Sequence, residues 1–196
     1  MILRAGQIKI RIEYLPLASF CICAVVFGEK FLPSLLCVAI HEAGHVFALL
    51  RLGSTPPELS LGFLTIDIID RQKEMRSGRQ QAFIAAAGPG ANLLTAPFFY
   101  LLGVSLKSYF FGSCAMISAA LCVFNLLPII GTDGGELIGI LLMRTRQGTA
   151  ALYILTVIIL MPLCICAFYI LIISKNNFTL LITSLVLIYS FLKMLG

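Results

Sequence analysis

The sequence predicts an all-α polytopic membrane protein of about six transmembrane helices, with a small membrane-associated β-sheet at the cytoplasmic side. Three observations predict it. The 196 residues are 60% hydrophobic and only 12% charged, with a mean hydropathy of +1.02, and a soluble domain of this size cannot hide so much apolar surface from water. The apolar residues fall into runs of spanning length, separated by short charged connectors. Basic residues crowd into alternate connectors, which is the charge signature of a chain threaded back and forth through a bilayer.

A spanning helix needs about 20 predominantly apolar residues to cross roughly 30 Å of hydrocarbon. Spans are expected at about 15–28, 32–51, 81–103, 109–128, 150–173 and 177–193. Residues 80–106, 108–132 and 148–174 carry no charge at all. The first run is short and follows a charged stretch, as a signal peptide does. No small-x-small cleavage site follows Phe27, and Glu29 to Pro33 lead straight into the next run, so it is read as a retained helix. The second is apolar except for the cluster His41-Glu42-Ala43-Gly44-His45. The third contains Gly88-Pro89-Gly90 and Pro97, breakers that membrane helices tolerate when neighbours satisfy the freed backbone groups. Pro162 should kink the fifth.

Two segments have strand character. Residues 7–14 alternate Ile8, Ile10 and Ile12 with Lys9, Arg11 and Glu13, a period of two with β-branched residues on one side. A lone strand is unstable, and its expected partner is the segment 58–70, with Leu64, Ile66 and Ile68 on one face. Residues 71–79 form a basic connector. No internal repeat or soluble domain is visible, and residues 1–196 read as a single domain.

With six spans and the N-terminus inside, the inner segments hold 11 of the 14 basic residues, the outer ones only Lys30, Lys107 and Lys175. Both termini are therefore expected in the cytoplasm of what is read as a bacterial cell membrane. The formal net charge of +5 then reflects topology and contact with anionic lipid in the bilayer. Nucleic acid is not expected as a partner, because no basic patch alternates with aromatics. The seven cysteines form no CxxC pair and all lie in apolar runs, where they act as small hydrophobes.

The chain has only two histidines, His41 and His45. Four residues apart, they lie on one helix face about 6 Å apart along the axis, so both imidazoles can reach one zinc ion. Glu42 sits beside that metal as a general base. Inside an apolar run, ionisable residues are expensive and functional by default. A catalytic zinc needs a third protein ligand, and with no third histidine a carboxylate must serve. His45 lies near the cytoplasmic end of the second span, and the fourth span delivers Asp133 to that same level, between Gly131 and Gly134-Gly135. Asp133 is the expected ligand, with Asp67 and Asp70 as the alternatives.

HEAGH in an early span, GPGAN at 88–92 and NLLPIIGTDGG at 125–135 together resemble the site-2 protease family of intramembrane zinc metalloproteases, over about residues 8–142. The nearest likeness is to compact sporulation-type members, which lack a PDZ domain and process pro-sigma factors. The resemblance implies a metalloendopeptidase with one zinc per chain, ligated by His41, His45 and Asp133, with Glu42 as catalytic base. Asn92 and Asn125 would bind substrate backbone or the oxyanion. The substrate would be a membrane-bound protein such as a transcription-factor precursor, selected by the spans, the connectors or a regulatory membrane partner. The chain departs from the sporulation pattern at Gly131 and Thr132, where proline and leucine are usual, and at Gly90, where a larger apolar residue is common.

Other classes fit parts of this pattern. A prenyl-protein type of protease would use a glutamate as third ligand, with Glu136 nearest. A zinc-binding membrane pseudoprotease or chaperone would hold metal without turnover. A transporter would be expected to show paired half-repeats, and a serine-type rhomboid would need a histidine outside the HEAGH cluster.

Overall fold

The computed structural model describes residues 2–5, 8–12, 28, 31–53, 58–61, 66–69, 75–142, 148–174, 184–185, 187–188 and 191–192. Among them are strands β1 (Ile2–Ala5), β2 (Ile8–Ile12), β3 (Glu58–Leu61) and β4 (Ile66–Ile69). The helices are α1 (Phe31–Arg51), α2 (Gly78–Ser105), α3 (Tyr109–Asn125), α4 (Asp133–Leu142) and α5 (Gly148–Ser174). Contacts divide the chain into two compact units, Met1–Val123 and Phe124–Gly196.

The helices are those of an integral membrane protein. Three are long and apolar enough to cross a bilayer, at Phe31–Arg51, Gly78–Ser105 and Ala150–Ile173, and the 17-residue α3 is apolar but shorter. Burial is inverted relative to a soluble fold. His41, His45, Asn92, Ser118 and Thr156 are buried, whereas Phe47, Leu94, Tyr100, Met116 and Ile172 are exposed. Lipid is as apolar as leucine, so large apolar side chains gain nothing by facing inward, while polar ones must find partners there.

Helices α1, α2, α3 and α5 fall where spans 32–51, 81–103, 109–128 and 150–173 are expected. The expected span 15–28 lies outside the described residues except for Gly28. Of 177–193 only residues 184–185, 187–188 and 191–192 are described, and these are helical. Elements not anticipated are β1 and α4, and the segment 58–70, expected as one strand, holds two, β3 and β4. The strands form one sheet in the order β1-β2-β3-β4. Strand β2 runs antiparallel to β1 and parallel to β3, with Ile10 opposite Leu59, and β4 runs antiparallel to β3. A parallel pair needs a long crossover, and the chain between β2 and β3, which includes α1, supplies it. In sheet order β1 and β4 are the outer strands.

In the first unit α2 starts at a capping box. Ser77 Oγ accepts from the Gln80 amide (3.4 Å), and Gln80 Oε1 accepts from the Ser77 amide (3.0 Å), satisfying two of the donors that a helix start leaves open. Helices α1 and α2 then pack almost backbone to backbone. A Cβ on Gly44 would come within 3.0 Å of the Ala91 methyl and closer still to the Ala87 carbonyl, so only glycine permits this approach. Cys37, Phe99, Cys114 and Ala115 form the buried cluster of this unit.

In the second unit the chain leaves α3 at Asn125 and turns through Pro128 into α4. Thr132 caps α4: its hydroxyl accepts from the Gly135 amide (3.2 Å) and lies 2.6 and 2.8 Å from the Leu127 and Ile129 carbonyls. Thr156 of α5 holds the same turn, accepting from the Ile130 amide (3.1 Å) and donating to the Leu152 carbonyl (2.8 Å). Ile129, Leu160 and Leu187 are the buried residues of this unit's core.

Candidate metal centre

Along α1 the buried side chains are Pro33, Cys37, His41, His45, Ala48 and Leu49. Steps of four trace one slowly winding stripe on a helix of 3.6 residues per turn. On α2 the corresponding stripe is Ala85, Gly88, Pro89, Asn92 and Phe99. The two stripes meet at the histidines.

The imidazole Nε2 atoms of His41 and His45 stand 3.3 Å apart, with the rings edge to face and their centroids 4.9 Å apart. His45 Nδ1 lies 2.8 Å from the Ile84 carbonyl. A carbonyl can only accept, so the proton of neutral His45 is on Nδ1 and its Nε2 lone pair points at His41 Nε2. His41 Nδ1 lies 3.1 Å from Asn92 Nδ2. Each ring meets its neighbour in α2 through Nδ1, and for His45 the carbonyl acceptor is the kind of partner that fixes the tautomer and orientation of metal-ligating histidines.

This arrangement fits zinc. Two nitrogens bound tetrahedrally at about 2.05 Å lie about 3.3 Å from one another, and the two Nε2 atoms are separated by that distance. Space for an ion comes from Gly88. A Cβ there would sit 2.8 Å from His41 Nε2 and 2.6 Å from His45 Cε1, and nearer still to His45 Nε2. A methyl group would therefore take the place where ligand lone pairs converge. Glu42, next in chain to His41, is half-buried.

Asp133 is the first residue of α4, in the second unit, and is half-buried. Its place is the start of a ten-residue helix, where the first backbone N–H groups have no partner within the helix. The glycines around it act differently from one another. Gly131 has φ +97° and makes the turn, a conformation that other residues resist. Gly134 and Gly135 lie in the helix and serve space instead: a Cβ on either would strike the carbonyl of Leu126 or Ile129. Asn125 ends α3 and is half-buried. The alternatives Asp67 and Asp70 differ: Asp67 lies in β4, paired with Ser60 of β3, and Asp70 lies outside the described residues. Glu136 is in the first turn of α4.

The structure brings His41 and His45, both expected from the sequence, to one point, and leaves Glu42 half-buried beside them in the chain. Read from the sequence, Gly88 is a helix breaker rather than room for a ligand. The Ile84 carbonyl carries no sequence signal, because every residue has one.

No protein-family model matches the chain. Among curated proteins it is 29% identical, over 106 residues, to a Synechocystis sp. protein named "Putative zinc metalloprotease". The match takes in 52% of this chain and 28% of that protein, so the chain spans little more than a quarter of its relative. Among solved structures it is similar to the site-2 protease from Methanocaldococcus jannaschii, with a TM-score of 0.70 and 14% identity, over 98% of this chain and 94% of the other. The chain has the fold of that protein.

Proposed function

We propose that this chain is a zinc-dependent intramembrane endopeptidase of the site-2 protease family, which hydrolyses a peptide bond in or near the transmembrane segment of a membrane-bound substrate. The observation that carries this reading is the pair of buried imidazoles in α1, with Nε2 atoms 3.3 Å apart and Gly88 leaving room in front of them. The fold likeness and the distant Synechocystis relative support it.

On this reading His41, His45 and Asp133 hold one zinc per chain. Zinc in such a site polarises a scissile carbonyl and acidifies water at neutral pH. Glu42 takes the proton of the attacking water and passes it to the leaving amine. Asn125 contacts substrate backbone or the developing oxyanion. The six-span topology with both termini in the cytoplasm belongs to the same proposal, with the sheet on the cytoplasmic side of a bacterial membrane.

A helical substrate hides its carbonyls and must be extended before attack. The outer strand β4 offers a place for it, with the substrate adding as a further strand through main-chain hydrogen bonds. Release of a transcription-factor precursor, as in sporulation-type members, is the proposed outcome.

The test uses the purified full chain in proteoliposomes with single-span candidate substrates. We expect about one zinc per chain, as a three-ligand catalytic site requires, and loss of that zinc in His41→Ala or His45→Ala. Glu42→Gln should keep metal and fold while abolishing turnover. Mass spectrometry should place the cut near the cytoplasmic end of the substrate span. Wild-type cleavage by Glu42→Gln would sink the mechanism, and a cut at the outer end would sink the topology.

A further inference from the structure

Asp133 stands on an intrinsically weak helix start. Helix α4 has ten residues, and the first three are Asp133, Gly134 and Gly135. Glycine is the poorest helix former apart from proline. Neither glycine can be exchanged, however, since a Cβ on either would strike the carbonyl of Leu126 or Ile129. The chain enters this turn through Gly131 at φ +97°, a residue with little stiffness of its own. The close packing of α4 on the preceding turn therefore weakens the helix at the place where the carboxylate is carried.

One side chain offsets this weakness. Thr132 is buried, with 7% of its surface exposed, and its hydroxyl is used in both directions. Oγ1 accepts from the Gly135 amide (3.2 Å) and shares its hydrogen between the carbonyls of Leu127 (2.6 Å) and Ile129 (2.8 Å). The backbone of Thr132 is fastened as well: its amide donates to the Ile129 carbonyl (3.1 Å), and its carbonyl accepts from the Glu136 amide (3.1 Å). Asp133 lies between these fastened points. We infer that Thr132 is a positioning residue for Asp133: its hydroxyl locks the first turn of α4 to the turn before it, and so presents the carboxylate to the metal in one orientation. This rests on the reading of Asp133 as the third zinc ligand. The departure from the sporulation pattern at 132 thus brings in a hydroxyl, which leucine lacks. Thr156 meets the same turn at Ile130, on the far side of Gly131, and has no such role.

The test measures zinc affinity per folded molecule, by chelator competition on the purified full chain in detergent micelles. Thr132→Val keeps the shape of the side chain and removes the hydroxyl. It should lose about tenfold, the lower end of what removing a supporting group behind a metal ligand costs. Thr132→Ser keeps the hydroxyl and caps equally well, so it should stay within about threefold of wild type. In an Asp133→Ala background, Thr132→Val should change affinity by less than about twofold, because a group that acts through Asp133 has nothing left to act on. A merely structural role would weaken zinc equally in both backgrounds. The last readout needs no variant. If the intact cap strengthens zinc binding, zinc must strengthen the cap by the same factor, so zinc loading of the wild type should slow hydrogen exchange of the Gly135 amide about tenfold, matching the loss in Thr132→Val.

Wild-type affinity in Thr132→Val overturns the positioning role, and so does an equal loss with and without the Asp133 carboxylate. Equal weakness of the Ser and Val variants would show that the hydroxyl is not what matters. Should Thr132→Val fail to fold, exchange at Gly135 in the wild type decides, and an unchanged rate on zinc loading overturns the inference. Failure of the ligand reading looks different: Asp133→Ala by itself then binds zinc as tightly as the wild type.

Discussion

Helices α2 and α5 are nearly the same length, 28 and 27 residues, and both contain internal proline, yet their spanning windows have mean hydropathies of 1.3 and 2.8. Part of the difference lies on one stripe. Helix α2 is dilute in apolar character because it turns Ala85, Gly88, Pro89 and Asn92 toward α1, where the neighbour is a pair of imidazoles. Among the described side chains of α5, the buried polar one is Thr156, and its hydroxyl is used up by the Ile130 amide and the Leu152 carbonyl. Polar groups in membrane helices are commonly functional. In α2 the polar group meets an imidazole, and in α5 it holds the turn before α4.

The sharpest way to break this comparison is Gly88→Ala. The substitution should favour α2 as a helix, since alanine exceeds glycine by about 1 kcal/mol in helix propensity. Its Cβ would nevertheless occupy the space in front of both Nε2 atoms. We expect zinc affinity to fall at least 100-fold while helical content is kept, measured by chelator competition and circular dichroism. Full zinc retention would mean that the α2 stripe does not face the metal.

The same contrast explains what was legible in the sequence. Apolar runs reveal α1, α2, α3 and α5 because lipid imposes length and composition directly. The two histidines four residues apart are legible because one helix fixes their relation without help from any other. Contacts that depend on how two helices rotate against each other are not legible in this way. Asn92 could be placed near chemistry by family resemblance, but its contact with His41 Nδ1 follows from the Gly44 approach of α1 to α2. Helix α4 was missed because Asp133-Gly134-Gly135 looks like a loop. Its start rests on the Thr132 cap, and its glycines meet the close approach of the preceding turn. Strand β1 was missed because its four residues, Ile-Leu-Arg-Ala, have no period-two alternation.

Thr156→Val sharpens the α5 side of the comparison. Valine matches threonine in shape but leaves the Ile130 amide without its side-chain acceptor. An unsatisfied buried donor costs about 1–3 kcal/mol, so the variant should unfold earlier in a denaturant titration in mixed micelles. Zinc affinity per folded molecule should stay within about twofold of wild type, since Thr156 is assigned to the fold rather than to the histidines. A selective loss of zinc without loss of stability would place Thr156 with Asn92 and erase the distinction.

The smallest effect is expected from Pro162→Ala. Proline at 162 has no amide hydrogen, so the Ile158 carbonyl loses its regular helical partner and the helix is strained at that turn. In water such a proline costs roughly 3 kcal/mol relative to alanine, but membrane helices relieve much of the strain by local adjustment. The variant should therefore be neutral or more stable by about 1 kcal/mol or less, the remainder of that penalty. Zinc content and the position of substrate cleavage should be unchanged. Pro89→Ala provides the control in α2: that proline is buried beside Gly88, and any change of helix geometry there would shift Gly88 and Asn92 together relative to the imidazoles. Weaker zinc binding in Pro89→Ala with no change in Pro162→Ala would show that a proline matters here through the face it shapes. Equal effects from both would mean that helix bending itself governs the site, and that the hydropathy contrast between α2 and α5 has no bearing on function.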